Sequence, residues 1–231
     1  MSQFDKLIAS VRGALEHRGA PAHDGAEASP AMPPSEASRR VELVSSFGRE
    51  LEVVGGRFLG MLTPKETAAR IAEVAASIKA RTASLGDGVS NDPAPIAAGL
   101  ESLGIKVIRT AAAGDPEARA AILRELARCD LGVAEAACAI AATGTLAIVA
   151  TAARPSSLTL LPPVNIVIVS AERVVADLAA ALAMLGTETI ASHRVALVTG
   201  PSRTADIEKR IVLGVHGPRE LYVAIVWRAD D

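Results

Sequence analysis

The sequence predicts an α/β fold: a mostly parallel sheet with helices on both faces, preceded by an N-terminal helical arm. From residue 63 onward, short apolar runs alternate with amphipathic stretches, the rhythm of strand–helix–strand units. One run, VNIVIVS (164–170), is apolar almost throughout, which suits a strand covered on both faces. Half the residues are hydrophobic but only 2% are aromatic. Ala, Val, Leu and Ile must therefore build the core, as in helices packed on a β-branched sheet.

Phe4, Leu7, Ile8, Val11 and Leu15 recur at helical spacing and make residues 1–18 an amphipathic arm. Residues 19–38 lose all periodicity and fill with Pro, Ala, Gly and Ser, the composition of a linker. The α/β domain then runs over 39–231. Its first stretch, to about 62, carries Phe47 and Val53-Val54 but no readable period. Thr63-Pro64-Lys65-Glu66 is a capping box with Pro at the first helical position, and it opens a helix to about 82 with Ile71, Val74, Ala75 and Ile78 inward. A polar loop (86–95) leads to a strand at 105–110. Asp115-Pro116 caps the next helix, with Ile122, Leu123 and Leu126 as its buried face. LGVAEA (131–136) is a strand, and AIAATGTLAIVAT (139–151) holds apolar runs on both sides of a Thr-Gly-Thr turn. A loop or short helix (153–163) precedes the strand at 164–170. A helix over 172–185 buries Val174, Val175, Leu178, Leu182 and Leu185 and stops at Gly186. RVALVTG (194–200) is a strand, 203–212 a short helix, and ELYVAIVW (220–227) the last strand.

Several classes of function are disfavoured. The net charge is −2 and the pI near 6.1, with no block of Lys or Arg to recommend nucleic acid or an anionic membrane. Cys129 and Cys138 make no disulfide framework and cannot alone hold a four-thiolate cluster. The N-terminus has Asp5 and no long apolar run, so it does not read as a secretory signal. The stretch 131–151 is rich in Ala rather than Leu, with Glu135 inside it, and reads as buried sheet rather than a membrane span. A cytoplasmic protein is expected. GxGxxG before a helix, GxxxxGK[ST], HExxH, CxxC and GxSxG are all missing, and the four histidines do not fall at metal spacing.

Four stretches carry chemistry. In TGPSRTADIE (199–208), Gly200 can take positive φ, Pro201 stiffens the exit and Ser202 caps a helix. The N–H groups of Arg203, Thr204 and Ala205, with the Arg203 guanidinium, then form an anion pocket at the carboxyl edge of a parallel strand. The plainer reading is a simple cap, with Arg203 paired to Asp206 or Glu208. In LGVHGPREL (213–221), Gly214, Gly217 and Pro218 force a turn presenting His216 and Arg219, with His216 a proton carrier or merely bonded to backbone. Thr143-Gly144-Thr145 is either a close-approach loop with hydroxyls for an anion or an ordinary turn. Leu160-Leu161-Pro162-Pro163 either shapes a pocket wall or leads into the next strand.

In this order, AIAATGTL, SLTLLPP, TGPSRTADIE and LGVHGPRELYV resemble the LUD (lactate-utilisation) domain, of the lactate-utilisation protein C type, over roughly 40–231. The resemblance implies a fold like that of the ribose-isomerase and CoA-transferase group. It implies a component of a bacterial system oxidising L-lactate to pyruvate, whose cysteine-rich partners carry iron–sulfur clusters while this chain binds no cofactor itself. One departure stands out: the family's Ala-Glu-Thr-Gly-Thr is here Ala141-Ala142-Thr143-Gly144-Thr145, which favours a binding or accessory role. The expected ligand-binding set is Thr143, Gly144, Thr145, Gly200, Pro201, Ser202, Arg203, Thr204, Asp206, His216, Gly217 and Arg219. His216, Glu135 and Asp206 are the only candidates for acid–base work, and no metal site is expected. A free-standing acyl- or sugar-phosphate-type enzyme and a small-molecule-binding protein are the alternatives, and self-association is left open.

Overall fold

The structure is a computed structural model and describes residues 36–86, 93–110, 115–151, 155–186, 194–204, 212–213 and 217–228. The arm and most of the linker lie outside the described residues. The first described element is a helix, α1 (Glu36–Val53), which begins inside the expected linker and occupies much of the stretch that gave no readable period. Val44, Phe47, Gly48 and Leu51 form its buried stripe. Gly48 interrupts that stripe in the sequence because the Phe58 ring lies where its Cβ would be, 2.5 Å from Phe58 Cδ1. Phe47 meets the same ring edge-on, 6.3 Å between centroids.

The main sheet has six parallel strands in the order β1 (Arg57–Leu62), β12 (Glu220–Val226), β7 (Val164–Ser170), β4 (Leu131–Glu135), β2 (Thr82–Gly86) and β3 (Lys106–Thr110). Strand β7 lies inside it, as its largely apolar run requires. Leu131, Val133, Ile166 and Ile168 face two helices, α2 (Pro64–Ser77) and α3 (Ala94–Ser102). Their alternates, Val167, Val169, Val223 and Ile225, face α1 and a second sheet. On that side too, α4 (Pro116–Leu126) and α5 (Ser157–Leu160) pack Leu126 and Leu158 on Ala134. The fold class is as the sequence predicts.

The caps form as expected. Thr63 Oγ1 accepts from Glu66 N, Glu66 accepts from Thr63 N at 2.8 Å, and Asp115 accepts from Ala118 N. The Thr63 N–H holds the exposed Glu66 carboxyl below its ordinary range. Strand β2 and helix α3 fall largely where no element was assigned, between the expected helix end, the loop over 86–95 and the strand at 105–110; TASLG is short, carries Thr and Ser, and ends in Gly.

The second sheet runs β8 (Val174–Val175), β5 (Cys138–Ile140), β6 (Thr145–Val149), β9 (Val195–Val198). It corrects two expectations. The helix over 172–185 is instead a 3-10 turn, the short strand β8 and a helix α6 limited to Leu178–Leu185. Val174 and Val175 are β-branched and pair with Ala139 and Ile140, while Asp177 caps α6 through Ala180 N, so the helix cannot start earlier. Consequently Leu178 and Leu182 are exposed, as is Leu123 on α4, and Gly186 ends α6 in a right-handed conformation. Strand β9 is also not part of the parallel sheet. It lies at the edge of the second sheet, antiparallel to β6. One face of this sheet packs on the main sheet and the other on α6 through Ala181 and Leu185.

Both cysteines are buried, and burial pushes the Cys129 thiol up. Among the described residues no helix is long and apolar enough to cross a membrane, and no group of His, Cys, Asp and Glu could hold a metal.

Candidate functional site

The chain leaves β9 through Thr199 and turns on Gly200, whose φ is +83. The left-handed turn matters because a Cβ there would meet Val54 O at 2.7 Å. Pro201 is buried and Ser202 half-buried. The expected helix does not begin at Arg203, and residues 205–211 lie outside the described residues. Arg203–Thr204 form strand β10, antiparallel to β11 (Val212–Leu213). A helix start at Arg203 and Thr204 is therefore overturned, and so is the placement at the carboxyl edge of a parallel strand, since β9 is antiparallel to β6.

The four sequence stretches nonetheless converge. Ser202 N donates to Pro218 O at 2.9 Å, joining the 199–203 turn to the 217–219 turn. Gly217 lies against Ser202, where a Cβ would stand 3.1 Å from Ser202 Cβ. Arg219 N donates to Pro163 O at 2.7 Å, which brings in the Leu160–Pro163 stretch. The Thr-Gly-Thr turn joins by hydroxyls: Thr143 Oγ1 to Thr145 Oγ1 at 2.7 Å, and Thr145 Oγ1 to Thr199 Oγ1 at 2.8 Å. Gly144 (φ +60) presses on the α1 backbone at Glu50 and Leu51, leaving no room for a side chain.

At this junction a cavity of about 220 Å³ opens between the two sheets. Ile148, Val167, Leu197, Val198, Pro218 and Leu221 supply most of its apolar wall, and Thr159, Asn165, Thr199 and Ser202 its polar groups. Asn165 and Leu221 are the second residues of β7 and β12, so the cavity lies at the amino ends of the parallel strands. Asn165 is buried, and its Nδ2 donates to Thr159 O at 2.8 Å. Its Oδ1, without a hydrogen-bond partner, lies against Gly132, where a Cβ would overlap it.

Gly200, Ser202 and Gly217 of the expected set line the cavity; Thr143, Gly144 and Thr145 reach it through Thr199. Arg203 and Arg219 are exposed and do not line it. The Arg203 guanidinium lies over Gly55, at the carboxyl end of α1, where the helix dipole favours a cation. Thr204 sits in β10. Asp206 and His216 lie outside the described residues. Glu135 is buried at the carboxyl end of β4, on the α2–α3 side by alternation, and does not reach the cavity. Ala142 is exposed, next to the Thr-Gly-Thr turn.

Sequence reasoning missed Asn165, Thr159, Ile148, Val167, Leu197, Val198 and Leu221. Asn165 was the findable one, an amide inside an otherwise apolar run. A polar cluster also sits at the amino ends of β1 and β12. Arg57 donates to the Tyr222 hydroxyl at 2.6 Å and pairs with Glu220 at 3.3 Å. Burial, then Glu220, pushes the Tyr222 hydroxyl above its ordinary value. Arg57 is thus partnered within the cluster.

The profile of the LUD domain matches residues 44–226. Over 108 residues, 44% of this chain and 47% of the relative, the sequence is 37% identical to a lactate utilization protein C of an Exiguobacterium species. A lactate utilization protein C of Bacillus licheniformis is 31% identical over 120 residues, 50% of this chain and 48% of the relative. An uncharacterized protein of Neisseria meningitidis serogroup B is 33% identical over 100 residues, 42% of each chain. The chain spans less than half the length of these curated relatives in each match. A DUF162 family protein of Deinococcus radiodurans shares the fold, with a TM-score of 0.60 at 21% identity over 81% of this chain and 98% of that one. The profile covers every strand of the parallel sheet together with the cavity walls, and the chain belongs to the LUD domain family.

Proposed function

We propose that the chain is an accessory, ligand-binding component of bacterial L-lactate utilisation, working in the cytoplasm beside cysteine-rich iron–sulfur partners that carry the redox chemistry. The names of its relatives support the lactate-utilisation part. The convergence of all four distinctive stretches on one cavity is the observation that carries the binding part. The ligand is a small organic anion. Its head would meet the hydroxyl and backbone of the Gly200–Ser202 turn. The described cavity offers no carboxylate, imidazole or thiol to a reacting centre, so binding rather than catalysis fits its walls.

The test is retention of partners. Tagged chain is purified from its native host grown on L-lactate, and the retained fraction is assayed for iron, acid-labile sulfide and L-lactate oxidation. The reading expects all three together. A preparation that brings down no iron–sulfur protein overturns it.

A further inference from the structure

We propose that the cavity takes an organic acid whose apolar body is larger than that of a three-carbon hydroxy acid. The body lies between the sheets and the head at the Gly200–Ser202 turn. The inference rests on the cavity being the ligand site of the proposed function, and it specifies the class of molecule bound there.

Size is the first reason. A dry cavity of about 150 Å³ is filled by benzene, with six non-hydrogen atoms. Lactate has the same number, and this cavity is about 220 Å³. Lactate alone leaves space that water would have to fill against an apolar wall.

The wall is the second reason. Ile148, Val167, Leu197, Val198, Pro218 and Leu221 offer no hydrogen bonds from their side chains, and no charged side chain lines the cavity among the described residues. The polar groups are mostly engaged already or shut away: Asn165 Oδ1 has no hydrogen-bond partner but is buried against Gly132. Thr159 Oγ1 donates to Ser156 O at 3.1 Å, Thr199 Oγ1 bonds Thr145, and Asn165 Nδ2 bonds Thr159 O. Ser202 is the lining hydroxyl left for a ligand, and it sits on the turn that leads out to Arg203. A molecule that hydrogen-bonds at one end and is apolar along the rest matches this arrangement. A small, wholly polar anion does not.

The experiment is isothermal titration of the full chain with L-lactate, 2-hydroxybutanoate, 2-hydroxy-4-methylpentanoate and 3-phenyllactate, with 4-methylpentan-1-ol as the neutral arm. Affinity is expected to rise about fourfold for each methylene buried, with lactate weakest and the alcohol weaker than the acid of like body. Leu197→Glu, a change at a half-exposed position of the wall, should flatten the series. Ser202→Ala should weaken every acid by about tenfold or more without flattening the series. Lactate binding as tightly as the longer acids, an alcohol equal to the acid, no binding by any acid, or a gradient that survives Leu197→Glu would each overturn the proposal. A flat series beside successful recovery of iron–sulfur partners removes this inference alone. A clear gradient with no partner recovered removes the accessory role and leaves the cavity's ligand class standing.

Discussion

The two sheets of this protein are stabilised in different ways. The six-stranded parallel sheet is a frame: β7 pairs along its whole length with β12 and over five residues with β4, and both faces are covered. The four-stranded sheet is built of strands two to five residues long. It depends on what surrounds it: α1 behind Gly144, α6 on its outer face, and a hydroxyl pair joining β6 to the end of β9. The frame is held by long strand pairings within itself, whereas the small sheet is a wall set against it. The cavity lies between them, so its shape depends on how firmly the small sheet is seated.

Perturbing each region separately tests that contrast. The largest effect should come from Gly144→Ala. A side chain at φ +60, pressed on the α1 backbone, combines conformational strain with overpacking and should destabilise by about 3 kcal/mol in urea unfolding. Ligand affinity should fall with it, because α1 and the Thr-Gly-Thr turn can no longer close. An Ala variant as stable as the wild type would mean the small sheet is not seated this way.

A smaller effect is expected in the frame. Asp130 accepts from the N–H groups of Arg81 and Thr82 at 2.8 and 3.0 Å and from the Thr82 hydroxyl. Burial alone would push its carboxyl up, but those donors outweigh it and hold the group below its ordinary 3.8. Asp130→Ala should cost about 2 kcal/mol at neutral pH and leave ligand binding unchanged. The folded carboxyl is the stronger acid, so its contribution is present above its unfolded value and is lost as pH falls through the folded one. The difference between wild type and variant should hold from about pH 5 to 8 and shrink below about pH 4. A difference undiminished at low pH would contradict this.

The smallest effect tests the hydroxyl link. Thr145→Val removes both the Thr143 and the Thr199 contacts and should cost about 1 kcal/mol. It should also raise the hydrogen-exchange rate in β9 while leaving β7 unaffected. Equal changes in both strands would erase the distinction between frame and wall.

The same division governs what the sequence made legible. The frame could be read because β7 and β12 are long apolar runs and because Thr63 and Asp115 are caps whose chemistry is local. Strand β2 escaped because a five-residue segment with Thr, Ser and Gly carries no period of its own, and α1 because Gly48 interrupts its stripe to admit a ring from β1. The small sheet was misread at β8, where two valines fit a helix face as well as a strand until Ala139 and Ile140 claim them as partners. The site was half legible. Gly200, Ser202 and Gly217 stood out by chemistry, and the structure brings them together. Its apolar wall did not stand out, since Ile148, Val167, Leu197 and Leu221 look like core anywhere in the chain and become a wall only through tertiary contact. Arg203, given the leading role by its neighbours in sequence, lies instead over the end of α1.

Ligands of open α/β sheets usually bind at the carboxyl ends of the strands; here the site is assigned to the amino ends of β7 and β12. Hydrogen–deuterium exchange with and without 2-hydroxy-4-methylpentanoate separates the two directly. Protection confined to residues 146–149, 165–167, 196–202 and 217–221 is the expected result. Protection at the opposite edge instead, over 84–86, 108–110, 134–136 and 168–171, would contradict it.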